Sequence, residues 1–432
     1  MKDKIEQFRE TFSMMLPEIN ENTEKYRKGI MKIKVLKEDG TPVSAKIRVE
    51  QNSHAFDFGT SALMLGAMGD KEKEYRDTVS NLFNFVTTTF CWGVMETEPG
   101  KFRFEEGSEE IYRRPPSDRV LRFAQENNMK VKGQPLFCGH WCPEWLPQDL
   151  EVLKDRWLNY VDRVAERYDG KYHVFDVVNE SYLTDATWKN MSWLPMPVGD
   201  FVKWLLKSAG ERFSDKCIME RNEATHVNWG EYADIYYNEN KRLLEEGVRL
   251  DSIGFQFHFF NGKDYIEDYL CGEADLKNIY RTYVKMSGLG VPLYITEITI
   301  PTVYEGMTLD EGEDLQAEIL EKLYRLWFSV PGMNGIIYWN LKDGDTWVNE
   351  SDCRGCLVDE YMRKKKSYYA LEHLIKREWN TCVSSVSDEN GELEFSAFYG
   401  KYDIVIESDG NKVEKRAVSF DRKGQMLTIT IP

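Results

Sequence analysis

A chain of 432 residues exceeds the roughly 250–300 that a single hydrophobic core usually serves, so one large domain with a smaller module is expected. With 42% hydrophobic and 30% charged residues, and neither low-complexity tracts nor solenoid-period repeats, the composition is globular. A net charge of −17 argues against nucleic acid or an anionic membrane as the main partner, because both select basic surfaces, and it fits a neutral ligand.

Met1 to about Arg27 reads as a helical extension, which could pack on the main domain or on a partner subunit. Its start, MKDKIEQFRE, is charged and has no apolar h-region, so no signal peptide is expected in this chain. No stretch approaches the roughly 20 apolar residues of a membrane span. The expected location is cytoplasmic, or secreted with the signal peptide absent from this chain. Next, Ile30–Val49 alternates apolar and polar residues around a turn at Glu38-Asp39-Gly40, the pattern of a hairpin.

From residue 55 the pattern changes to short β-type runs separated by amphipathic helical stretches. Strands are expected at Ala55–Phe58, Phe85–Thr88, Val131–Leu136, Val174–Val178, Cys217–Glu220, Ser252–Phe257, Leu293–Thr296 and Gly335–Trp339. Helices are expected at Ser117–Asn127, Asp155–Tyr168, Pro197–Arg212, Gly230–Glu246, Asp275–Ser287 and Gly312–Phe328. Such alternation suits an α/β fold of the (β/α)8 TIM-barrel type. A doubly wound open sheet is the alternative, but no Gly-rich phosphate loop follows an early strand.

After Cys382 come further short alternating strands, divided by turns at Asp388–Gly391, Ser408–Gly410 and Arg422–Gly424. A lone two-stranded hairpin is marginal, so the N-terminal strands are expected to join these in a small accessory β-sandwich. The resulting division is 1–27 helical extension, 28–54 N-terminal strands of the sandwich, 55–378 barrel, and 379–432 C-terminal strands. With no obvious aromatic platform, the sandwich is expected to brace the barrel rather than bind sugar.

Eight cysteines are scattered apart from two clusters, Cys138–Cys142 and Cys353–Cys356. Zinc requires four converging ligands, and neither cluster has companions at zinc-ligand spacing, so no metal and no cofactor is expected. The thiols mildly favour a reducing compartment.

FDVVNE, residues 175–180, is an apolar strand that stops at an amide beside a carboxylate. Side chains at the C-terminal ends of barrel strands converge on one mouth. Glu180 ends the fourth strand and Glu297 the seventh; the sixth ends in Gln256-Phe257-His258 and the eighth in Tyr338-Trp339. Taken singly, each has a plain structural explanation, such as a helix cap or a satisfied histidine. Together they are what glycosidic cleavage needs: two carboxyl groups, a histidine to orient one, and an indole floor for a sugar.

On these stretches the chain resembles the glycoside hydrolase family 10 endo-β-1,4-xylanases over roughly residues 55–378. The segments that carry the likeness are FDFGT (56–60), ETEPGKF (96–102), FDVVNE (175–180), LDSIGFQFHF (250–259), ITEITI (295–300) and IIYWNLKDGDTW (336–347). The resemblance implies Glu180 as acid/base, Glu297 as nucleophile, and Asn179 holding a sugar 2-hydroxyl, with Gln256 and His258 as hydrogen-bonding supports. It implies Trp339 and Trp347 along the glycone side of the cleft. It also implies retaining double displacement, with carboxyl groups about 5–5.5 Å apart.

Departures from the family's pattern are concentrated on the glycone side. TTTFCWGVMETEP (87–99) places Thr89, Phe90 and Gly93 where the family carries sugar-binding Glu, Asn and Lys. In GQPLFCG (133–139), Gln134 replaces one His, Cys138 a Trp and Gly139 another His, leaving His140 one residue further on. Thr299 stands where an Asp would partner His258. Trp92, Phe90 and Trp141 are expected to supply an aromatic wall instead. The expected partner is a polysaccharide or oligosaccharide, xylan or a related plant cell-wall glycan. Alternatives are a β-glycosidase of altered specificity, a non-catalytic carbohydrate-binding protein on a barrel scaffold, and a metal-dependent hydrolase, for which six histidines supply no convincing ligand set.

Overall fold

The computed structural model of the protein describes residues 2–181, 191–261, 266, 270–272, 275–421 and 425–432. It begins with helix α1 (Lys2–Arg27), followed by strands β1 (Lys28–Lys37) and β2 (Lys46–His54). Eight barrel strands follow, alternating with helices: β3 (Asp57–Ser61), β4 (Phe85–Thr89), β5 (Lys130–Gln134), β6 (Val174–Asn179), β7 (Ile218–Glu223), β8 (Ser252–His258), β9 (Leu293–Thr299) and β10 (Met333–Tyr338), with a separate short ladder of Glu96–Glu98 and Lys101–Phe102 between β4 and β5. Each pairs in parallel with the next, and β10 closes on β3 through Gly335 opposite Asp57 and Ile336 opposite Phe58. This is the expected (β/α)8 barrel. Its strands are buried along nearly their whole length, as parallel strands covered by helices must be.

Two helices start earlier than periodicity alone indicates, and in each a capping side chain explains the extra turn. Asp149 accepts from the amides of Glu151 and Val152, both at 3.0 Å, so that helix begins at Leu150. Thr308 and Glu311 form a reciprocal capping box, and the helix Leu309–Ser329 begins there.

Strands β11 (Cys382–Val386), β12 (Glu392–Phe398), β13 (Gly400–Ser408), β14 (Asn411–Phe420) and β15 (Gln425–Ile431) complete the chain. They form two sheets, ordered β12-β1-β15 and β11-β2-β13-β14. Met31, Ile33 and Val35 of β1 meet Ile47 and Val49 of β2, Ile404 and Ile406 of β13 and Ile429 of β15 in a second core. β1 and β2 are therefore not the ladder-paired hairpin expected from their turn. A single antiparallel bridge, Leu36 with Pro42, joins the ends of the two runs, and each strand then enters a different sheet. Alternation marks a strand with one buried face but does not identify its hydrogen-bonding neighbour. The turn expected at 422–424 lies outside the described residues.

Helix α1 lies on the barrel. Ile5, Phe8, Phe12, Met15 and Ile19, spaced three or four apart, are buried against it. Arg9 forms a bidentate pair with Glu318, at 2.8 Å for both contacts, and Asn22 donates to the Tyr280 hydroxyl at 2.7 Å. Where the helix ends, the buried Arg27 guanidinium donates to the carbonyls of Phe328 and Val330, while Phe328 packs on Phe398 of the sandwich. Arg27 thus sits where helix, barrel and sandwich meet. Replacing Arg27 by Ala removes two charge-assisted bonds and leaves two carbonyls without their donor, so urea denaturation should show a loss of about 2–3 kcal/mol. A change within about 0.5 kcal/mol, the range of ordinary surface substitutions, would contradict this assignment.

Candidate active site

The C-terminal ends of the barrel strands open into a cleft of about 900 Å³. Strand register, rather than loop geometry, sets its polar floor. A register shift in β6, between Asp176 and Val178, brings Asn179 opposite Asn222 of β7. A second shift in β8, between Phe255 and Gln256, brings Gln256 opposite Glu297 and His258 opposite Thr299. Such irregularities re-aim side chains at strand ends, and here they turn a set of amides and carboxyls toward one space.

Glu297 is buried and held by three groups. Gln134 Nε2 donates to its Oε1, Asn222 Nδ2 reaches the same oxygen at 3.2 Å, and His258 Nε2 lies 3.0 Å from Oε2. Thr299 Oγ1 lies 2.9 Å from His258 Nδ1, so a neutral hydroxyl orients the ring where the resemblance led one to expect a carboxylate. Asn179 Oδ1 accepts from Asn222 at 2.9 Å and from Gln256 at 3.2 Å, and Gln256 also donates to Glu180 Oε1 at 2.9 Å. Asn222 Oδ1 in turn accepts from Thr296 at 2.7 Å.

Glu180 adopts a left-handed backbone, φ 57°, with its amide bonded to the Asn222 carbonyl at 3.1 Å. A non-glycine residue in that region is strained, and such strain is concentrated at sites where position matters more than stability. Desolvation, then the charge of Glu297, push the Glu180 carboxyl up to about 7, while the Gln256 bond acts in the opposite direction.

Most of the residues singled out in the sequence meet here. Asn179, Glu180, Gln134, His140, Gln256, His258, Glu297, Trp339 and Trp347 all line the cleft, with His140 exposed at its rim. Two do not. Trp92, expected on the aromatic wall, is buried against Tyr160, with ring centres 5.5 Å apart, and its indole donates to Glu96 at 2.8 Å. Phe90 is likewise core, packed on Tyr168, Tyr172 and Phe175. Of the three aromatics expected there, only Trp141 faces the cleft, stacked on Trp347 at 6.2 Å.

Asn222, the amide that joins the two halves of the network, was not anticipated. The strand was expected to end at Glu220, whereas it runs on to Glu223. Extending the two-residue period from Glu220 points to Asn222 on the same face.

The residue matched to the family's lysine position also has a packing reason to differ. A Cβ on Gly93 would lie 2.9 Å from the carbonyl oxygens of both Trp141 and Cys142. The missing side chain therefore lets the segment bearing His140 and Trp141 approach. All eight cysteines are free thiols, and among the described residues no cluster suits a metal ion. Within the same residues no helix is long and apolar enough to cross a membrane.

Residues 49–374 match the sequence profile of Glycosyl hydrolase family 10. The chain belongs to that family. Endo-1,4-beta-xylanase B of Thermotoga neapolitana is 26% identical, over 72% of this chain and 85% of its own length. The anti-sigma-I factor RsgI6 of Acetivibrio thermocellus is 27% identical over 96% of this chain, which spans half the length of that relative. Among solved structures, xylanase 10B from Thermotoga petrophila in complex with xylobiose superimposes with a TM-score of 0.63, covering 75% of this chain and 95% of its own, at 23% identity. That likeness is one of fold.

The contact at Gly93 can be tested. Gly93 lies in the short helix Trp92–Met95, where Ala is favoured over Gly by about 1 kcal/mol, but overpacking against fixed backbone costs about 1–3 kcal/mol, so the clash should win. Gly93→Ala is expected to lower the melting temperature and to displace Trp141, changing the indole fluorescence. A variant as stable as wild type, with unchanged indole fluorescence, would show that the segment does not depend on this approach.

Proposed function

We propose that the chain is a retaining β-glycanase that cleaves xylan or a related β-1,4-linked plant cell-wall glycan. The observation that carries this reading is the asymmetry of the two carboxyls: Glu297 receives three polar partners, while Glu180 beside it is pushed up to about 7. A proton donor next to an oriented nucleophile is what double displacement requires.

In the first step a Glu297 oxygen bonds to the anomeric carbon as the glycosidic C–O bond breaks, and Glu180 gives its proton to the leaving oxygen. In the second, Glu180 takes a proton from water, the water oxygen attacks the same carbon, and the glycosyl ester on Glu297 is cleaved. Gln134, Asn222 and His258 hold the nucleophile, and Gln256 holds the acid. Asn179 commits its oxygen to Asn222 and Gln256, so its NH2 is the end offered to a sugar hydroxyl. Trp339, Trp347 and Trp141 supply ring faces for the chain, and His140 adds a polar group at the rim. Segments 28–54 and 379–432 serve as a brace for the barrel of 55–378, with helix 1–27 clamped across it.

Thr89, Phe90 and Gly93 at the family's polar sugar-binding positions are compatible with a second reading, carbohydrate binding without turnover. Binding alone, however, has no use for a carboxyl poised to donate a proton.

The two readings separate on a panel of aryl β-xylobioside, β-xyloside, β-glucoside and β-cellobioside alongside xylan. Xylobioside and xylan are expected to turn over, and Glu297→Gln to lose about a thousand-fold or more. Glu180→Gln is expected to lose about 10²–10⁴-fold on xylan, but much less on aryl glycosides whose leaving groups need no proton. Turnover of another glycoside, abolished by the same change, keeps the mechanism and moves the substrate. Glycan binding with no turnover of any substrate would overturn the catalytic reading.

A further inference from the structure

One cation in the cleft plays no part in holding either carboxylate. Arg114 lines the same cavity as Glu180 and Glu297, on the wall built by Trp141 and Trp347. Its guanidinium carbon lies 5.0 Å from the centre of the Trp141 ring and 4.9 Å from that of Trp347, and the residue is only 5% exposed. Nη1 donates to the Arg113 carbonyl at 2.9 Å, while Nε is buried without a partner. Among the described residues, no carboxylate lies within ion-pair distance of it.

The nearest candidate counter-ion is already engaged. Glu350 Oε2 accepts from Asn340 Nδ2 at 2.8 Å and from the Trp347 amide at 3.3 Å, and it lies 3.8 Å from Nη2 of Arg113. Arg113 has a left-handed backbone, φ 57°, and its guanidinium turns away to the Asp345 carbonyl and to Asn340 Oδ1 at 2.8 Å. The two consecutive arginines are thus divided: Arg113 braces the loop that bears Trp347, and Arg114 faces the cleft.

A buried guanidinium short of acceptors is costly, and its planar fork matches a carboxylate in bidentate fashion. Sugar hydroxyls are neutral and satisfy it less well. The chain's net charge of −17 provides no long-range attraction for an acidic polymer, so any such recognition must be local. We infer that Arg114 receives a carboxylate carried by the bound glycan, which makes the preferred substrate a β-linked chain bearing hexuronic acid. This rests on the cleft being a glycan site, as proposed above.

The test uses matched xylo-oligosaccharides: neutral, carrying one glucuronic acid branch, and the same branch with its carboxyl reduced to an alcohol. A fourth, with the uronate in the main chain, separates a branch from a backbone source. Calorimetry on Glu297→Gln measures binding without turnover. One of the two acid-bearing ligands should bind about ten-fold or more tightly than its carboxyl-reduced or neutral counterpart, and the advantage should shrink with salt. In an Arg114→Gln background the ratio of acidic to neutral affinity should collapse toward one, with Arg114→Lys keeping part of it. Equal binding of acidic and reduced ligands by the chain with Arg114 intact overturns the inference, whatever the fate of the variants. An equal loss on both ligands in Arg114→Gln overturns it too, making Arg114 a hydroxyl-binding group. If neutral and acidic ligands both fail to bind, this inference falls together with the glycan-site reading.

Discussion

Two carboxyl groups that share a water-poor mouth cannot both ionise without cost, and the arrangement of donors decides which keeps its proton. Gln134, Asn222 and His258 converge on Glu297, and Gln256 donates to Glu180. The charge of Glu297 adds to desolvation in raising Glu180. The network is also continuous: Asn179, Asn222 and Gln256 link the two carboxyls through shared hydrogen bonds, so the relative position of the pair depends on strand register rather than on loops.

That dependence explains why the barrel has to be closed and why its strands slip where they do. Asn179, Asn222, Gln256 and Glu297 come from four consecutive strands, β6 to β9. An open sheet would let its edges splay, whereas closure through β10 and β3 removes the edges. Below the mouth, the barrel carries charge of its own. Lys132 pairs with Glu220, which also accepts from Ser252 at 3.1 Å, and Asp176 is pushed well above the usual carboxylate range, chiefly by burial.

The barrel was legible because parallel strands covered on both sides read as short apolar runs, and all eight were located to within a few residues. That Glu180 and Glu297 share one cleft was legible because side chains at the C-terminal ends of barrel strands converge on one mouth. What failed were inferences about direction. Phe90 and Trp92 follow β4 just as Trp141 follows β5, yet two face the core and one the cleft, and aromatic character alone does not separate them. β1 and β2 were recognised as strands but not assigned to different sheets, since alternation is blind to hydrogen-bonding partners. Asn222 was lost to a strand ended three residues early. Arg114 lies in a loop without periodicity, and its burial against two stacked indoles from distant segments belongs to the tertiary structure alone.

The most direct test of the account is a titration of the Glu180 carboxyl, followed by carbon NMR on protein labelled at glutamate carboxyls and assigned with Glu180→Gln. The midpoint is expected near 7. Glu180 would then be protonated below neutrality and lose its proton as pH rises through that value, so the falling limb of kcat/KM should share the midpoint. In Glu297→Gln the neighbouring charge is gone, and the midpoint should fall while staying above the ordinary glutamate value of about 4.3, because burial remains. A midpoint in the ordinary range with Glu297 intact, or one indifferent to Glu297→Gln, would contradict the division of labour between the two carboxyls.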